Sequence, residues 1–443
     1  MFKSTYARHP PTSMLKQTEL ISFRHLALRG HASTLRQTTG AAAEVAGAGP
    51  GIVETWRWLM CLLHPSCERS FRMLRTITLS VMVLGAIPAR PASAQTGVIA
   101  FQDHCNGLLY AMRGDGTGRM PLPLPPLPQP ASEYRYSGAR VLDVTTSGPL
   151  TVVYYVGIGR RASSGLTDFG LFAVQLNEVN GVLLPGSATP VRLTVPSDNG
   201  IVGVNPNSAR SGSFSSAEDH DRLALVAESE TASVLMTVSV DRDESSRITG
   251  LSDLTVVADL YSLGVPDPSV STTGFTGTID YSPDGSSIVA SIYHDLWMVH
   301  LDGFSHLVGA DLLTADSNGA AEWNPSYSPD GTRVAYTAGP VTTSGGVRDT
   351  DIYSVALGTG ASTRVTTKQN KGGAASARDR AMWTANSAWI GFTAYTSSTP
   401  RKLPCSALVN SEIFLIKAEG SSTASQITHT NGTSVEGSPK WGF

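Results

Sequence analysis

A repeated unit in the C-terminal half constrains the fold more than any other feature of this 443-residue chain. Residues 281–285 and 327–331 both read Tyr-Ser-Pro-Asp-Gly, and residues 382–392 hold a degenerate third copy. In such a tight turn proline presets φ, aspartate hydrogen-bonds to its own backbone, and glycine accepts a positive φ. We therefore assign the turns of the first two copies to Pro283, Asp284, Gly285, Pro329, Asp330 and Gly331.

Each copy continues with the same order of segments. An alternating strand such as 333–336 follows the turn, and after a variable loop comes a further strand such as 351–355. A glycine-containing turn and a short last strand, for example 363–367, complete the unit. Four antiparallel strands in a repeat of about 40 to 60 residues are typical of one blade of a β-propeller.

The two ends of the chain predict how the ring of blades closes. Residues 97–112 supply the second and third strands of a blade, and residues 438–443 match the start of one. Two more blades fit residues 151–195 and 214–258. We therefore predict an all-β, six-bladed propeller whose C-terminal inner strand joins the N-terminal blade and removes the open edge. A seventh blade would need strands within 241–275, which looks too short.

These repeats resemble those of the TolB-like propeller family. The resemblance rests on the two Tyr-Ser-Pro-Asp-Gly turns with their downstream Asp-Leu/Ile-aromatic strands, strongly over 275–443 and weakly over 95–274. It implies a six-bladed propeller located in the cell envelope. TolB proteins carry an α/β domain before the propeller, for which this sequence leaves no room after Gln95. We therefore expect this chain to share the fold and the location of the TolB-like family, but we do not infer a role in the Tol-Pal system.

A segment before the propeller has the three parts of a secretory signal. Arg72 and Arg75 precede the apolar run 76–87, and Ala92-Ser93-Ala94 forms an A-x-A cleavage site. The apolar run is shorter than the roughly 20 residues of a membrane-spanning helix. We expect residues 73–94 to be a signal peptide cleaved near Ala94 and residues 95–443 to form a periplasmic or secreted propeller. Residues 1–72 are either a non-native or disordered extension or an unusually long leader.

Two cysteines remain after cleavage at that site. Cys105 and Cys405 lie in equivalent connections of the first and last predicted blades, which are neighbours only in a closed ring. Exported chains fold in an oxidising compartment. We therefore predict a Cys105–Cys405 disulfide across the closure, with two free thiols as the alternative.

Long connections concentrate on one face of the predicted propeller, which makes that face the candidate binding surface. They span 157–168, 196–212, 339–350 and 368–380, and the charged residues that we single out in them are Arg160, Arg161, Arg348, Asp349, Arg378, Asp379 and Arg380. A net charge of -3 gives no basis for nucleic-acid binding. We predict a monomeric scaffold, without an integral membrane segment in the mature chain, that binds a protein or an envelope component.

The rival hypothesis is a metal-dependent propeller hydrolase or lyase. Glu322 and Asn324, near the entry of one inner strand, are the only evident ligands for a central metal. The sequence has no G-x-S-x-G, H-E-x-x-H, C-x-x-C, P-loop or EF-hand motif. We therefore predict no catalytic residue, cofactor or metal. A sugar-binding module, the third alternative, would need exposed aromatic residues on the long connections, which are poor in them.

Overall fold

The computed structural model describes most of the region beyond residue 96. The described residues are 97–103, 107–126, 134–147, 150–161, 163–164, 167–179, 182–187, 189–196, 209–215, 221–228, 232–263, 277–314, 320–340, 350–370, 376–395, 411–428 and 440–442. They belong to one compact unit, Pro88–Phe443, and nearly all of their regular secondary structure is β-strand. Within them, no helix is both long and apolar enough to cross a bilayer. The signal segment 73–94 and residues 1–72 lie outside the described residues.

Six small antiparallel sheets follow one another and form the six blades, as predicted. Blade 1 contains β1 (Val98–Gln102), β2 (Leu109–Arg113), β3 (Met120–Pro121) and the last strand, β25 (Lys440–Gly442). Blade 2 contains β4 (Tyr134–Ser147), β5 (Leu150–Arg161), β6 (Thr167–Val179), β7 (Val182–Pro185) and β8 (Val191–Leu193). Blade 3 contains β9 (Ser211–Ser215), β10 (Arg222–Glu228), β11 (Ser233–Arg242) and β12 (Ile248–Asp259), followed by helix α1 (Leu260–Leu263).

The C-terminal half forms the three blades that carry the sequence repeat. Blade 4 contains β13 (Ile279–Tyr281), β14 (Ser287–Ile292), β15 (Asp295–Leu301) and β16 (Leu307–Leu312). Blade 5 contains β17 (Ala320–Tyr327), β18 (Arg333–Pro340), β19 (Asp351–Ala356) and β20 (Ser362–Arg364). Blade 6 contains β21 (Ser376–Trp383), β22 (Trp389–Tyr395), β23 (Ser411–Lys417) and β24 (Ser425–Gln426).

The ring closes where the C-terminal strand joins the N-terminal blade, which confirms the predicted closure. Strand β25 pairs antiparallel with β1, and Trp441 lies opposite Ile99. Trp441 is 4% exposed and packs in a cluster with residues of blades 1 and 6: Ile99, Phe101, Met112, Met382, Ile413, Leu415 and Ile427. Gly116, at φ +83°, brings a turn of blade 1 so close to blade 6 that a Cβ would lie 2.2 Å from the carbonyl oxygen of Ile427.

The repeated turns have one hydrogen-bond pattern. The Ser282 hydroxyl donates to the Asp284 carboxylate at 2.6 Å, and the Ser328 hydroxyl donates to Asp330 at the same distance. In the degenerate copy the Thr384 hydroxyl donates to Asn386 at 2.8 Å. The positive-φ position is glycine in the first two turns, at +71° and +69°, and Ser387 at +54° in the third. Side-chain capping therefore preserves the turn where its sequence has diverged.

Two predicted loops lie partly in strands, which corrects the placement of several candidate residues. Strand β5 continues to Arg161 and pairs with both β4 and β6. Most of the connection expected over 157–168 therefore belongs to the paired strands β5 and β6. The inner strand β21 begins at Ser376, so Arg378, Asp379 and Arg380 lie in a strand and not in the loop expected over 368–380. Register shifts on both sides of Asp379 interrupt the alternation by which β21 could have been recognised.

Candidate functional site: a polar ring in the central channel

Equivalent residues from all six inner strands meet at one end of the central channel. This is the end at which the Ser-Pro-Asp-Gly turns lie, and we call it the tight-turn end. In each blade the residue concerned lies two positions before the residue that begins the tight turn or its counterpart. We call these six the channel ring: Lys440, Asp143, Ser213, Asp280, Ser326 and Met382, from blades 1 to 6 in order. They line a cavity of about 200 Å³.

Side chains of the channel ring connect neighbouring blades. In blades 2 to 4, the ring side chain accepts a hydrogen bond from a backbone N–H of the next inner strand. These bonds are Phe214 N–H to Asp143 Oδ2 at 2.6 Å, Tyr281 N–H to Ser213 Oγ at 3.0 Å, and Tyr327 N–H to Asp280 Oδ2 at 2.7 Å. Because adjacent blades share no sheet, these contacts satisfy inner-strand donors that would otherwise be buried without partners.

An ion pair crosses the channel. Lys440 Nζ of blade 1 lies 3.4 Å from Asp280 Oδ1 of blade 4, which is the opposite blade in a ring of six. Both side chains are largely buried. The Ser213 hydroxyl lies between the carboxylates, 2.9 Å from Asp280 and 3.3 Å from Asp143. The ring therefore contains two carboxyl groups and one ammonium group in a shared, poorly solvated space.

The pKa values of the ring groups follow from burial and from the excess of carboxyl groups over ammonium groups. Burial raises the pKa of Asp143 to about 6, although the Lys440 charge opposes the shift, and the Asp280 carboxylate adds to it. For Lys440, burial alone lowers the pKa, but the Asp280 and Asp143 carboxylates together raise it above its ordinary value. Lys440 therefore stays charged, and Asp143 titrates at a higher pH than an ordinary aspartate.

We expect Asp143 to make stability fall as the pH rises from about 4 to about 6. The folded chain holds this proton more tightly than the unfolded chain, so deprotonation favours unfolding across that window. The unfolding free energy of the wild type minus that of Asp143→Asn should decrease there by roughly 2 to 3 kcal/mol. Urea unfolding at half-unit pH intervals measures this difference. A difference that stays constant between pH 4 and pH 7 contradicts the assignment.

The residue that follows each ring position fixes the ring against the blades. In blades 3 to 6 and 1 this residue is aromatic: Phe214, Tyr281, Tyr327, Trp383 and Trp441. The Trp383 indole N–H donates to the Ser326 carbonyl at 2.9 Å, and the Tyr327 hydroxyl lies 2.9 Å from the Ser287 hydroxyl. The ring is therefore a rigid element of the scaffold.

The structure does not gather the sequence-predicted binding residues into one cluster. Arg160 is exposed and Arg161 is half-buried at the end of β5. Arg380, half-buried at φ +60° in β21, is near enough to Lys440 for its charge to oppose the rise in the Lys440 pKa, but it does not line the cavity. The side chains of Arg378 and Asp379, and the whole of Arg348, Asp349, Cys105 and Cys405, lie outside the described residues.

The candidate metal ligands occupy other positions. Glu322 is 8% exposed, and its carboxylate accepts a hydrogen bond from the Thr314 hydroxyl. Asn324, at φ +51°, donates its backbone N–H to Thr278 Oγ1 at 3.0 Å. Neither residue lines the cavity. Within the described part of the chain, no three His, Cys, Asp or Glu side chains group as metal ligands would.

The sequence repeats contain a signal for four of the six channel-ring residues, although none of the four was a sequence-predicted binding residue. The residue before the aromatic residue of each copy is Asp280, Ser326 and Met382, and before the terminal Trp441 it is Lys440. Because they occupy the same position in each repeat, these residues are predicted to lie at the same distance from the propeller axis. Asp143 and Ser213 lie in blades without the tight-turn motif, so only the structure adds them to the ring.

Comparisons with known proteins add little beyond the fold. No family model and no curated protein sequence matches the chain. An oligogalacturonate lyase from Vibrio parahaemolyticus is 11% identical at a TM-score of 0.37, over 76% of this chain and 87% of that one. A levansucrase variant from B. megaterium is 12% identical at 0.39, over 80% and 95%. The β-propeller domain of the Trilobed protease from Pyrococcus furiosus is 10% identical at 0.31, over 66% and 71%.

Proposed function

We propose that the protein is an exported, TolB-like propeller that acts as a binding scaffold for a protein or an envelope component. Its long-connection face, opposite the tight-turn end, is the recognition surface. The observation that carries the proposal is the difference between the two faces. At the tight-turn end, β13 and β14 are joined by residues 282–286, and β17 and β18 by residues 328–332. At the other end, β18 and β19 are joined by residues 341–350, and β22 and β23 by residues 396–410.

This asymmetry supports recognition because a rigid scaffold with variable connections can change its partner without changing its core. The inner strands are fixed by the channel ring, and the blades by buried clusters. The long connections therefore carry the freedom to vary. Arg160 lies at the edge of this face, and Arg348 and Asp349 lie within one of its connections. Charged residues on a recognition face contribute to specificity and association rate more than to affinity.

Capture from the native envelope fraction tests the proposal. The bait is the purified protein, and the variant is Arg348→Ala/Asp349→Ala, which leaves the net charge unchanged. Arg378 and Arg380 are kept, because they lie in the inner strand β21 and not in a connection. We expect a specific protein or envelope component to be captured by the wild type and lost or strongly reduced with the variant.

The matched control is Lys417→Ala/Glu419→Ala, which also removes one positive and one negative charge. Both side chains are exposed at the tight-turn end, where Lys417 is the last residue of β23 and Glu419 follows the strand. The account requires this control to capture as much partner as the wild type. Equal capture by all three baits moves recognition away from the long-connection face, and loss of capture with the control alone places it at the tight-turn end.

We further predict that the exported protein contains a Cys105–Cys405 disulfide. The first and last blades are in contact, which is the condition for the pairing. Closing a loop that spans most of the propeller stabilises the fold by roughly 5 to 6 kcal/mol in the loop-entropy model, which is an upper bound. Peptide mapping without reductant should find the two cysteine peptides joined. Reductant should then destabilise the wild type but not Cys105→Ser/Cys405→Ser, whereas mapping that finds two free thiols contradicts the pairing.

A further inference from the structure

A second layer of equivalent residues lies next to the channel ring. In each blade it is formed by the residue two positions further along the chain, towards the tight turn. It consists of Gly442, Thr145, Ser215, Ser282, Ser328 and Thr384, from blades 1 to 6 in order. In blades 4 to 6 the hydroxyl of this layer is committed to its own turn, where it donates to Asp284, Asp330 or Asn386. Blades 2 and 3 lack that turn motif, so Thr145 and Ser215 are not held in this way.

The hydroxyl of Ser215 is an unsatisfied polar group in the cavity wall. Ser215 is 5% exposed and lines the cavity, and its hydroxyl has no hydrogen-bond partner among the described residues. Thr145 lines the same cavity from the neighbouring blade. A buried hydroxyl without a partner costs about 1 to 3 kcal/mol, so a polar group that reached Ser215 from the cavity would gain a hydrogen bond that the folded chain leaves unmade.

The carboxyl group of Asp143 lines the same cavity as Thr145 and Ser215. Its oxygens accept the N–H groups of Val144 and Phe214, at 2.8 and 2.6 Å. Lys440 lies close enough to act on Asp143 electrostatically, but the ammonium group forms its ion pair with Asp280. Asp143 therefore forms no direct ion pair among the described residues, and the ring contains one more carboxyl group than it has ammonium groups.

We propose that the quadrant formed by Asp143, Thr145 and Ser215 binds a primary ammonium group. An ammonium group has three donors and no acceptor, which matches one carboxylate and two hydroxyl oxygens. The added positive charge balances the second carboxylate of the ring. A cavity of about 200 Å³ is smaller than the roughly 300 to 1,000 Å³ of drug-sized pockets, so it fits one small group.

A divalent cation fits the quadrant less well. Calcium takes six to eight oxygen ligands in general, whereas this quadrant offers one carboxyl group and two hydroxyls. Both Asp143 oxygens already accept backbone N–H groups, and the nearby Lys440 charge repels a divalent ion more strongly than a monovalent one. The site lies at the opposite end of the channel from the proposed recognition face, so it does not depend on the proposed function.

Calorimetric titration of the purified protein at pH 8 tests this site. The probe is n-butylamine, and butan-1-ol is its neutral counterpart. A second pair, acetyl-lysine amide and acetyl-norleucine amide, presents the same ammonium group as a partner's side chain would. We expect saturable binding of both amines and none of the neutral compounds. Tighter binding of the lysine derivative identifies a partner side chain as the source, and tighter binding of butylamine identifies a free amine.

Three variants locate the binding. Ser215→Ala removes a hydroxyl that has no structural partner, and we expect it to weaken amine binding about tenfold while the fold is retained. Asp143→Asn should weaken binding at least about thirtyfold. Ser282→Ala, at the equivalent position of blade 4, should change affinity less than about twofold. The proposal is overturned if amine and alcohol bind equally, if calcium binds and the amines do not, or if Ser215→Ala retains wild-type affinity.

Discussion

Replacing Lys440 with methionine is expected to lower the free energy of unfolding by about 3 kcal/mol. Methionine keeps most of the side-chain volume but removes the charge that pairs with Asp280 across the channel. Two carboxyl groups then share the channel without a cation between them. Breaking one partner of a buried pair costs more than the pair contributed, because the remaining charge stays desolvated. Urea unfolding at pH 8 measures the loss.

Two controls separate this effect from a general loss of charge. Lys417→Met removes an exposed lysine and should change stability by no more than about 0.5 kcal/mol. The loss caused by Lys440→Met should also shrink at pH 5, because the pKa of Asp143 is already near 6 and protonation removes its unpaired charge. A loss below about 1 kcal/mol at pH 8, or an equal loss at both pH values, would show that the cross-channel pair does not stabilise the ring.

Replacing Trp441 with alanine is expected to cost about 4 kcal/mol, the largest effect of a single side chain. Trp441 is 4% exposed and packs between blades 1 and 6. It also lies on a three-residue strand that has β1 as its sheet partner. Removing it therefore creates a cavity in the closure and weakens the strand pairing at the same time. Thermal and urea unfolding of the variant measure the effect.

Trp441→Phe is the matched variant, because it keeps an aromatic ring in the same place. We expect it to cost about 1 kcal/mol, so that the two variants separate loss of packing from loss of the indole itself. A loss below about 1 kcal/mol for Trp441→Ala would mean that β25 contributes little to closure.

The architecture was predictable from the sequence because its signal is periodic. Two Ser-Pro-Asp-Gly turns fix where inner strands end, and the terminal Lys440–Gly442 segment repeats the context of those strands without a following turn. Its pairing with Val98–Ala100 follows from the need to cover an open sheet edge. These inferences use local turn chemistry and the cost of unpaired backbone, both of which are encoded in short segments.

The channel ring was not predictable as a whole, because it depends on contacts between residues far apart in the chain. Asp143 and Ser213 carry no repeat motif, and their positions depend on register in blades 2 and 3. The bulges of β21 shift Arg380 out of simple alternation, so a residue expected in a surface loop lies in an inner strand and acts electrostatically on Lys440. Pairwise electrostatics across the ring, such as Lys440 with Asp280, become visible only once six strands converge.

Closure of the ring by β25 underlies both the channel ring and the cavity, and hydrogen exchange tests it most directly. The measurement follows the C-terminal peptide that contains residues 440–442 and compares it with the peptide that contains β1. The account predicts slow exchange of the C-terminal amides, on the timescale of β1, because the two strands share one ladder. Exchange of the C-terminal peptide at the rate of an unstructured chain, with β1 still protected, would contradict closure by this strand.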